Sequence, residues 1–300
     1  MKILITGCRG QLGTELQKQL AAEGCALGPL PERLKKATVI AVDLEELDIT
    51  DREATVTYIR RTQPDTVINC AAFTNVDGCE TNRDAAYKVN ALGPRNLAMA
   101  CEKVGARLVH ISTDYVFPGT PNGGVALDEC AIPAPISAYG QTKLLGEQYV
   151  QRFCRRHFIV RTAWLYSYYG KNFVKTMVNL AKTHDTISVV NDQLGNPTNA
   201  VDLAYHILKL AVSHDYGTYH CTGTGICSWY DFASEIIRLS GLPARVVPVT
   251  SAQYKQMNPA AANRPAWSAL ENRALRCSVG DEMRPWQDAI QDFFNNWDGN

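Results

Sequence analysis

The amino-terminal half of the chain alternates short apolar runs with longer stretches in which apolar residues recur every three or four positions. Uninterrupted runs rich in β-branched residues are typical of buried strands, whereas the spacing of Leu12, Leu16 and Leu20 is typical of an amphipathic helix. Predicted strands cover residues 2–6, 38–42, 65–70, 107–111 and 158–161. Predicted helices cover residues 11–22, 51–61, 83–104 and 137–153.

The order of these elements predicts the fold class. Strands that alternate with helices, and that lack an alternation of polar and apolar residues, form a parallel sheet covered by helices on both faces. We therefore expect an α/β protein with a Rossmann-type, doubly wound parallel sheet over residues 1–165. Residues 166–300, where Gly, Pro and Asn interrupt the pattern, are predicted to form a smaller, partly interleaved substrate domain. Its predicted helices are 172–182, 201–212 and 229–239, and its predicted strands are 187–190 and 218–221.

Three glycines, Gly7, Gly10 and Gly13, follow the first predicted strand and open the first helix. In such a unit the first glycine permits the turn, the second lets the backbone approach a pyrophosphate, and the third allows close packing of helix on strand. The N–H groups and the dipole at the helix N-terminus attract phosphate. This GxxGxxG turn, which also contains Gln11 and Leu12, therefore predicts a dinucleotide site.

Two residues near this turn point to different coenzymes. Asp43 closes the second predicted strand, where a carboxylate bonds the ribose 2′-OH of NADH. Arg9 lies in the glycine turn and offers a guanidinium to the 2′-phosphate of NADPH. We expect NADPH as the coenzyme, with NADH also accepted. Asp48 and Ile49 are expected to flank the adenine, although Asp48 also suits a cap for the following helix.

Tyr139 and Lys143 are four residues apart in a predicted helix and therefore lie on one face of it. Because an ammonium favours a phenolate, we expect Lys143 to lower the pKa of Tyr139 toward neutrality, which suits a proton donor and acceptor. A YxxxK pair alone also fits an exposed helix turn. A catalytic pair is the favoured interpretation because Thr113 ends the preceding strand, at the sheet edge where parallel sheets bind ligands.

Composition narrows the range of partners and locations. The 300 residues carry 30 basic and 30 acidic side chains, so net charge gives no reason to expect nucleic acid or an anionic membrane as a partner. The apolar run before the glycine turn is too short for a signal sequence, and no run reaches the ~18 residues of a membrane span. The ten cysteines lack CxxC spacing and the six histidines lack ligand spacing, so no metal site is predicted. We expect a cytoplasmic protein with free thiols.

Together these motifs resemble the extended short-chain dehydrogenase/reductase superfamily and, within it, the family of dTDP-4-dehydrorhamnose reductases. The matching segments occur in the family's order and span nearly the whole chain. They are ITGCRGQLG (5–13), NCAAFTNVD (69–77), STDYVF (112–117), YGQTK (139–143), RTAWLY (161–166), NFVKTM (172–177), DQLGNPT (192–198) and RP (264–265). The resemblance implies NAD(P)H-dependent reduction of the C4 ketone of dTDP-4-dehydro-L-rhamnose, the last step of dTDP-L-rhamnose biosynthesis.

The resemblance also implies roles for individual residues. Tyr139 would protonate the C4 oxygen, Thr113 would bond the same oxygen, and Lys143 would hold the nicotinamide ribose. The sugar pocket would be lined by Val76, Asp114, Tyr115 and Trp164. The cofactor would run along Ala71, Ala72 and Phe73, with Asn90 supporting their loop. The dTDP moiety would contact Asn172, Gln193 and Arg264. Packing alone also accounts for Trp164 and Asn90, and an exposed loop accounts for Arg264.

Other functions share this scaffold. A 4,6-dehydratase has Thr-Asp-Glu where this chain has Thr113, Asp114 and Tyr115, and epimerases carry pairs of small residues there. Without the Glu, elimination lacks its base, which favours simple reduction. A non-catalytic regulatory subunit is a further alternative, against which the retained catalytic side chains argue. Some relatives bind Mg²⁺ between two subunits, with Glu15 as a candidate ligand here. Mg²⁺ binding and the choice between a monomer and a homodimer stay open.

Overall fold

The bounds of the strands and helices come from a computed structural model that describes residues 1–121 and 123–299. The strands are β1 (Lys2–Thr6), β2 (Gly24–Cys25), β3 (Gly28–Pro29), β4 (Thr38–Val42), β5 (Thr66–Asn69), β6 (Arg107–Thr113), β7 (His157–Thr162), β8 (Leu165–Tyr166), β9 (Thr186–Val190), β10 (Leu194–Gly195), β11 (Thr198–Asn199), β12 (Gly217–His220), β13 (Cys227–Ser228) and β14 (Arg245–Val249). The helices are α1 (Gln11–Ala22), α2 (Arg52–Thr62), α3 (Val76–Thr81), α4 (Arg83–Tyr87), α5 (Gly93–Val104), α6 (Ala138–Phe153), α7 (Phe173–Ala181), α8 (Ala200–Val212), α9 (Trp229–Ser240), α10 (Ser251–Met257), α11 (Arg273–Ser278) and α12 (Trp286–Asn296).

The central sheet has six parallel strands in the order β12-β7-β6-β5-β1-β4. Strand β1 lies between β4 and β5, so that Ile5 pairs with Ala41 on one side and with Ile68 on the other. From β1 the chain adds β4 on one side and then β5, β6 and β7 on the other. Ligands bind at such a switch point, beyond the carboxyl ends of the strands. The predicted α/β class with a Rossmann-type sheet is confirmed.

Helices cover both faces of this sheet, which explains why its strands are apolar without interruption. Successive strand residues point to opposite faces. Ile3 and Ile5 pack on one face in a core that includes Leu16 of α1 and Leu203 of α8. Leu4 packs on the other face, in a core built with α2 and α5. Each such side chain is fully buried and contributes about 1.5–3 kcal/mol through removal of apolar surface from water.

The carboxy-terminal half builds a second core beside the sheet. Strands β9 and β14 pair in parallel, and helices α7, α9 and α12 enclose Tyr166, Phe232 and Phe293 with them. Two elements of the same half join the central layers instead. Strand β12 extends the sheet beyond β7, and α8 packs against α1. Within residues 1–121 and 123–299, no helix is long and apolar enough to cross a membrane.

Residues 83–104 are helical, as predicted, but the helix is not of one type throughout. Helix α4 is followed by a π-helical turn, Lys88–Leu92, and only then by α5. Pro94 in the first turn of α5 has no N–H to continue an α-helical hydrogen-bond ladder, which explains the change of helix type. π-Helical turns occur frequently beside functional sites. The strands and helices predicted from the sequence do not include β14, α10, α11 or α12.

Candidate active site

The glycine turn joins β1 to α1 and leaves room for a dinucleotide. Gly7 has a φ of 64°, and a Cβ built on it would stand 2.7 Å from the backbone nitrogen of Ala71. A Cβ on Gly13 would stand 2.3 Å from the Gly7 carbonyl oxygen, so only glycine lets the helix pack this closely on the turn. Gly10 is the N-cap of α1, and the helix N-terminus faces a cleft of about 580 Å³ lined also by Gln11 and Leu12. This groove fits the pyrophosphate of a dinucleotide.

A second cleft, of about 350 Å³, continues from the glycine turn across the ends of β4 and β5. Asp43, Asp48, Ile49, Ala71, Ala72 and Phe73 all line it. The Asp43 carboxylate accepts hydrogen bonds from the backbone N–H groups of Arg9 (3.0 Å) and Leu44 (2.9 Å). Asp48 accepts from the N–H of Thr50 (2.8 Å), whereas the cap of α2 is Asp51. The structure therefore assigns Asp48 to the cleft wall and not to the helix cap.

Arg9 does not extend freely into this cleft. Its guanidinium nitrogens lie 2.5 Å from Glu45 Oε2 and 2.6 Å from Glu46 Oε1. In the sequence alone Arg9 looks available to a 2′-phosphate, but in the structure these two carboxylates compete for it. They are missed because they lie 36 and 37 residues further along the chain.

Asn90 ties the π-helical turn to the loop that follows β5. Its Oδ1 accepts from the N–H of Phe73 (2.8 Å), and its Nδ2 donates to the Phe73 carbonyl (3.0 Å) and to Thr142 Oγ1 (3.3 Å). One buried side chain thereby fixes the loop at Ala71 and Ala72 relative to α6. These hydrogen bonds agree with the expectation that Asn90 supports the loop at residues 71–73.

Tyr139, Lys143 and Thr113 meet at the carboxyl end of β6, where all three line the cleft of about 580 Å³. Ser137 caps α6, which places Tyr139 in the first turn and Lys143 one turn later. Lys143 Nζ donates to the carbonyl of Ile111 (2.6 Å), and Thr113 Oγ1 donates to Asp114 Oδ1 (3.0 Å). The site therefore joins a phenol, an ammonium and a hydroxyl.

Burial governs the protonation of these groups. It raises the pKa of Tyr139, an effect that the Thr113 hydroxyl only partly offsets. Burial lowers the pKa of Lys143 to about 8, against the opposing effects of Glu147 and Cys70. The expected lowering of the Tyr139 pKa is therefore wrong for this structure, because desolvation outweighs the favourable contacts of the phenolate. Tyr139 is a neutral phenol at neutral pH, which is the form that can give up a proton.

Asp114 lies behind Thr113 and is 2% exposed. Burial raises the pKa of its carboxyl to about 6, although Ser268 and Thr113 favour the charged form. Tyr115 follows it, with its ring 5.5 Å from the ring of Tyr139 in an edge-on arrangement. Burial and then the nearby Asp114 charge raise the pKa of Tyr115, so this side chain is also a neutral phenol.

An ion pair buried beneath the site joins α6 to β6 and β7. Glu147, one turn after Lys143, accepts hydrogen bonds from Arg161 Nε (3.0 Å), Arg161 Nη2 (2.7 Å) and Ser112 Oγ (2.5 Å). The side chains of Arg161 and Glu147 are only 6% and 2% exposed. The pair fixes the helix that carries Tyr139 to β7, and the Ser112 hydrogen bond fixes it to β6, the strand that ends at Thr113.

A third cleft, of about 640 Å³, adjoins the candidate catalytic cleft, which contains Tyr139, Lys143 and Thr113, and reaches into the carboxy-terminal half. Val76 and Tyr115 line both this cleft and the catalytic one. Gln193 and Arg264 line the new cleft; Gln193 Nε2 donates to Ser251 Oγ (2.9 Å). Arg264 donates to both carboxylate oxygens of Asp77, at 3.1 and 3.2 Å. A cation that is partly neutralised by Asp77 therefore faces an otherwise largely apolar cleft.

Trp164 and Asn172 stand on the catalytic side of this boundary. The Trp164 ring stacks on Trp229, with 3.6 Å between centroids and 9° between planes. Its φ of 47° is uncommon for a bulky residue and is typical of ligand-facing positions. Asn172 caps α7 and donates to Gln11 Oε1 (3.2 Å), so it lies beside the glycine turn and not in the third cleft.

Several residues of the clefts escape sequence reasoning. Trp229 and Phe173 line both the catalytic and the third cleft, and Asp77 pairs with Arg264 across 187 residues. Phe173 and Asp77 each follow a residue already singled out, which is a usable signal. Nothing local marks Trp229, because only the fold brings it onto Trp164.

Glu15 bears on the question of a metal. It lies in α1, 2% exposed, with its Oε1 accepting from Gln19 Nε2 (3.2 Å). Among residues 1–121 and 123–299, no group of three or more His, Cys, Asp or Glu side chains is arranged to hold a metal ion.

A doubly wound parallel sheet, a glycine turn after β1, and a Tyr–Lys pair on the helix beside a strand-end hydroxyl define an extended short-chain dehydrogenase/reductase. Residues 1–298 match the family described as RmlD substrate binding domain, and the chain belongs to that family. The resemblance inferred from the sequence motifs is thereby confirmed.

Individual relatives cover almost the whole chain. The spore coat polysaccharide biosynthesis protein SpsK of Bacillus subtilis is 40% identical over 97% of this chain and 96% of its own length. A dTDP-4-dehydrorhamnose reductase structure from Clostridium acetobutylicum is 48% identical with a TM-score of 0.90, covering 98% of this chain and 99% of that one. The Bacillus anthracis dTDP-4-dehydrorhamnose reductase, solved in complex with NADP, is 41% identical with a TM-score of 0.88, covering 98% of both chains.

Proposed function

We propose that the protein reduces the C4 ketone of dTDP-4-dehydro-L-rhamnose to dTDP-L-rhamnose, with NADPH as the coenzyme and NADH also accepted. The observation that carries this proposal is the neutral Tyr139 phenol beside the Thr113 hydroxyl, at the junction of the dinucleotide groove and the third, largely apolar cleft. The family membership and the NADP complex of the Bacillus anthracis relative support it.

Bound NADPH supplies the hydride that reaches C4. As negative charge develops on the C4 oxygen, Tyr139 gives it a proton and Thr113 stabilises it with a hydrogen bond. The Lys143 ammonium, now held by the Ile111 carbonyl, lies on the same side of α6 and would bond the nicotinamide ribose. Through Arg161 and Ser112, the buried Glu147 keeps α6 in fixed relation to β7 and β6, which would hold the phenol and the hydroxyl at one oxygen.

Substrate roles follow from the clefts. Arg264 is the cation that would meet the diphosphate, while Gln193 lies on the side of the third cleft where the base would bind. Val76, Asp114, Tyr115 and Trp164 surround the position between this cleft and Tyr139, which suits the sugar. Asn172 lies close to the glycine turn, so its role would be to order α7 against the cofactor and not to bind the base.

The presence of Tyr115 argues that this site does not catalyse dehydration. Elimination needs a carboxylate-like base at C5, and a phenol whose pKa is raised by burial is a poor base. Reduction requires only a proton donor at the C4 oxygen, which Tyr139 provides. The geometry therefore favours the reductase over an epimerase or a dehydratase on the same scaffold.

A turnover assay tests the proposal. NADPH oxidation is followed with dTDP-, UDP- and GDP-linked 4-keto-6-deoxy sugars, and we expect the fastest oxidation with dTDP-4-dehydro-L-rhamnose. Tyr139→Phe should remove most of this activity and leave NADPH binding intact, because the phenol acts at the carbonyl and not on the phosphates. A lack of oxidation with every sugar, together with tight binding of a protein partner, would support a regulatory subunit instead.

The division near residue 165 into a dinucleotide part and a substrate part belongs to the same proposal. The grooves support it, because the glycine turn lies in the first part and most of the third cleft is lined by residues 173–264. All ten cysteines are free thiols, which suits a reducing cytoplasm.

A further inference from the structure

The turn that follows β4 places three carboxylates around one guanidinium. Arg9 pairs with Glu45 (2.5 Å) and Glu46 (2.6 Å) through different nitrogens, and its backbone N–H donates to Asp43 (3.0 Å). Glu46 also accepts from the Asp43 N–H (2.8 Å), which holds the turn in shape. The group adjoins the second cleft, the proposed adenosine cleft of about 350 Å³, because Asp43 and Leu44 line it.

This arrangement matters only for one of the two nicotinamide coenzymes. NADH presents a neutral 2′-hydroxyl at this position, whereas NADPH presents a phosphate with nearly two negative charges. Arg9 is the one cation of the group, and its guanidinium is already bonded to Glu45 and Glu46. A 2′-phosphate that contacts Arg9 therefore competes with these two carboxylates, and it meets three negative charges against a single positive one.

We propose that Glu45 and Glu46 set the coenzyme ratio of the enzyme, by occupying Arg9 and opposing the 2′-phosphate of NADPH. This inference rests on the proposed function, since it concerns the coenzyme of the same reaction. The two glutamates would keep NADH competitive although Arg9 stands in the glycine turn. Their side chains are 70% and 43% exposed, so they are free to move aside when the phosphate arrives, at an electrostatic cost.

The affinity for NADPH relative to NADH should depend on salt in the opposite direction to that of an ordinary phosphate site. A site that attracts a phosphate loses affinity as salt screens the charges. Here the excess of carboxylates means that screening relieves repulsion, so the affinity for NADPH relative to NADH should rise between low and moderate salt. In a Glu45→Gln/Glu46→Gln variant, Arg9 and Asp43 leave no excess of negative charge, so the rise of this ratio with salt should disappear.

The test measures dissociation constants for NADPH and NADH by fluorescence titration of the full chain, and kcat/KM with both coenzymes. Glu45→Gln/Glu46→Gln should raise the NADPH-to-NADH preference at least tenfold. The matched control is Glu32→Gln/Glu235→Gln, which removes the same net charge from two exposed ion pairs outside the adenosine cleft and should shift the preference less than twofold.

An unchanged or reduced preference for NADPH in the Glu45→Gln/Glu46→Gln variant would overturn the inference, as would an equal shift in the control. The binding ratio decides this even if no 4-keto sugar is reduced. Loss of turnover with both coenzymes in the unmodified protein would instead count against the proposed function alone.

Discussion

Raising the pH through about 8 should weaken the binding of NADPH, because the Lys143 ammonium loses its proton in that range. Burial is the main cause of the lowered pKa, and Glu147 and Cys70 oppose it. The protonated form exists below the pKa, so affinity should be full near pH 7 and fall as pH rises. One pH unit above the pKa leaves about a tenth of the ammonium, which predicts roughly tenfold weaker binding at pH 9.

Cys70, Tyr139 and His110, which neighbour Lys143, do not change their protonation state near pH 8. Burial raises the pKa of Cys70 to about 12 and raises that of Tyr139, so neither ionises near pH 8. Burial, together with the charge of Lys143, holds the pKa of His110 well below its ordinary value. A dissociation constant measured by fluorescence titration between pH 7 and 9.5 should therefore follow one ionisation.

Two variants test whether Lys143 is the group whose deprotonation weakens the binding of NADPH. Tyr139→Phe should keep the alkaline loss of affinity, because the phenol is not its source. Lys143→Arg should remove the loss, since a guanidinium stays charged throughout this range. The assignment to Lys143 would be wrong if the affinity for NADPH were constant to pH 9 in the unmodified protein. It would also be wrong if the alkaline loss of affinity persisted in Lys143→Arg.

Two further predictions concern the buried ion pair and the third cleft. Glu147→Gln leaves the buried Arg161 without a charged partner and should lower the free energy of unfolding by about 3–5 kcal/mol in urea, against less than about 1 kcal/mol for Glu235→Gln in an exposed pair; equal losses would contradict the burial argument. Arg264→Gln should weaken the binding of dTDP at least tenfold in calorimetry and leave NADPH binding intact, whereas the exposed Arg273→Gln should change neither. Equal loss for both nucleotides would exclude Arg264 from the substrate site.

Local sequence spacing is sufficient to bring Tyr139 and Lys143 together and to locate the glycine turn. Tyr139 and Lys143 share a helix face because they are four residues apart, and Gly7 and Gly13 flank one short turn. The parallel sheet was equally accessible, because strands buried on both faces must be apolar throughout. These features depend on short-range periodicity, which the chain displays directly.

The remaining features depend on contacts between distant residues or on burial. The Tyr139 pKa moves opposite to expectation because the phenol is desolvated, which the spacing of Lys143 does not reveal. The partners of Arg9 and Arg264 come from other elements, so a charged residue that looks available in sequence is already paired in the fold. The π-helical turn likewise carries Asn90, whose side chain binds the loop at Phe73, 17 residues away.

The central claim is that hydride from a nicotinamide reaches C4 of a dTDP-linked 4-keto sugar while Tyr139 supplies the proton. The most direct test incubates the protein with dTDP-4-dehydro-L-rhamnose and NADPH carrying deuterium at the transferable nicotinamide C4 position, followed by NMR of the product. The account predicts dTDP-L-rhamnose with deuterium at C4 of the sugar and nowhere else. Deuterium at another sugar carbon, or exchange of sugar protons with solvent without coenzyme oxidation, would contradict it.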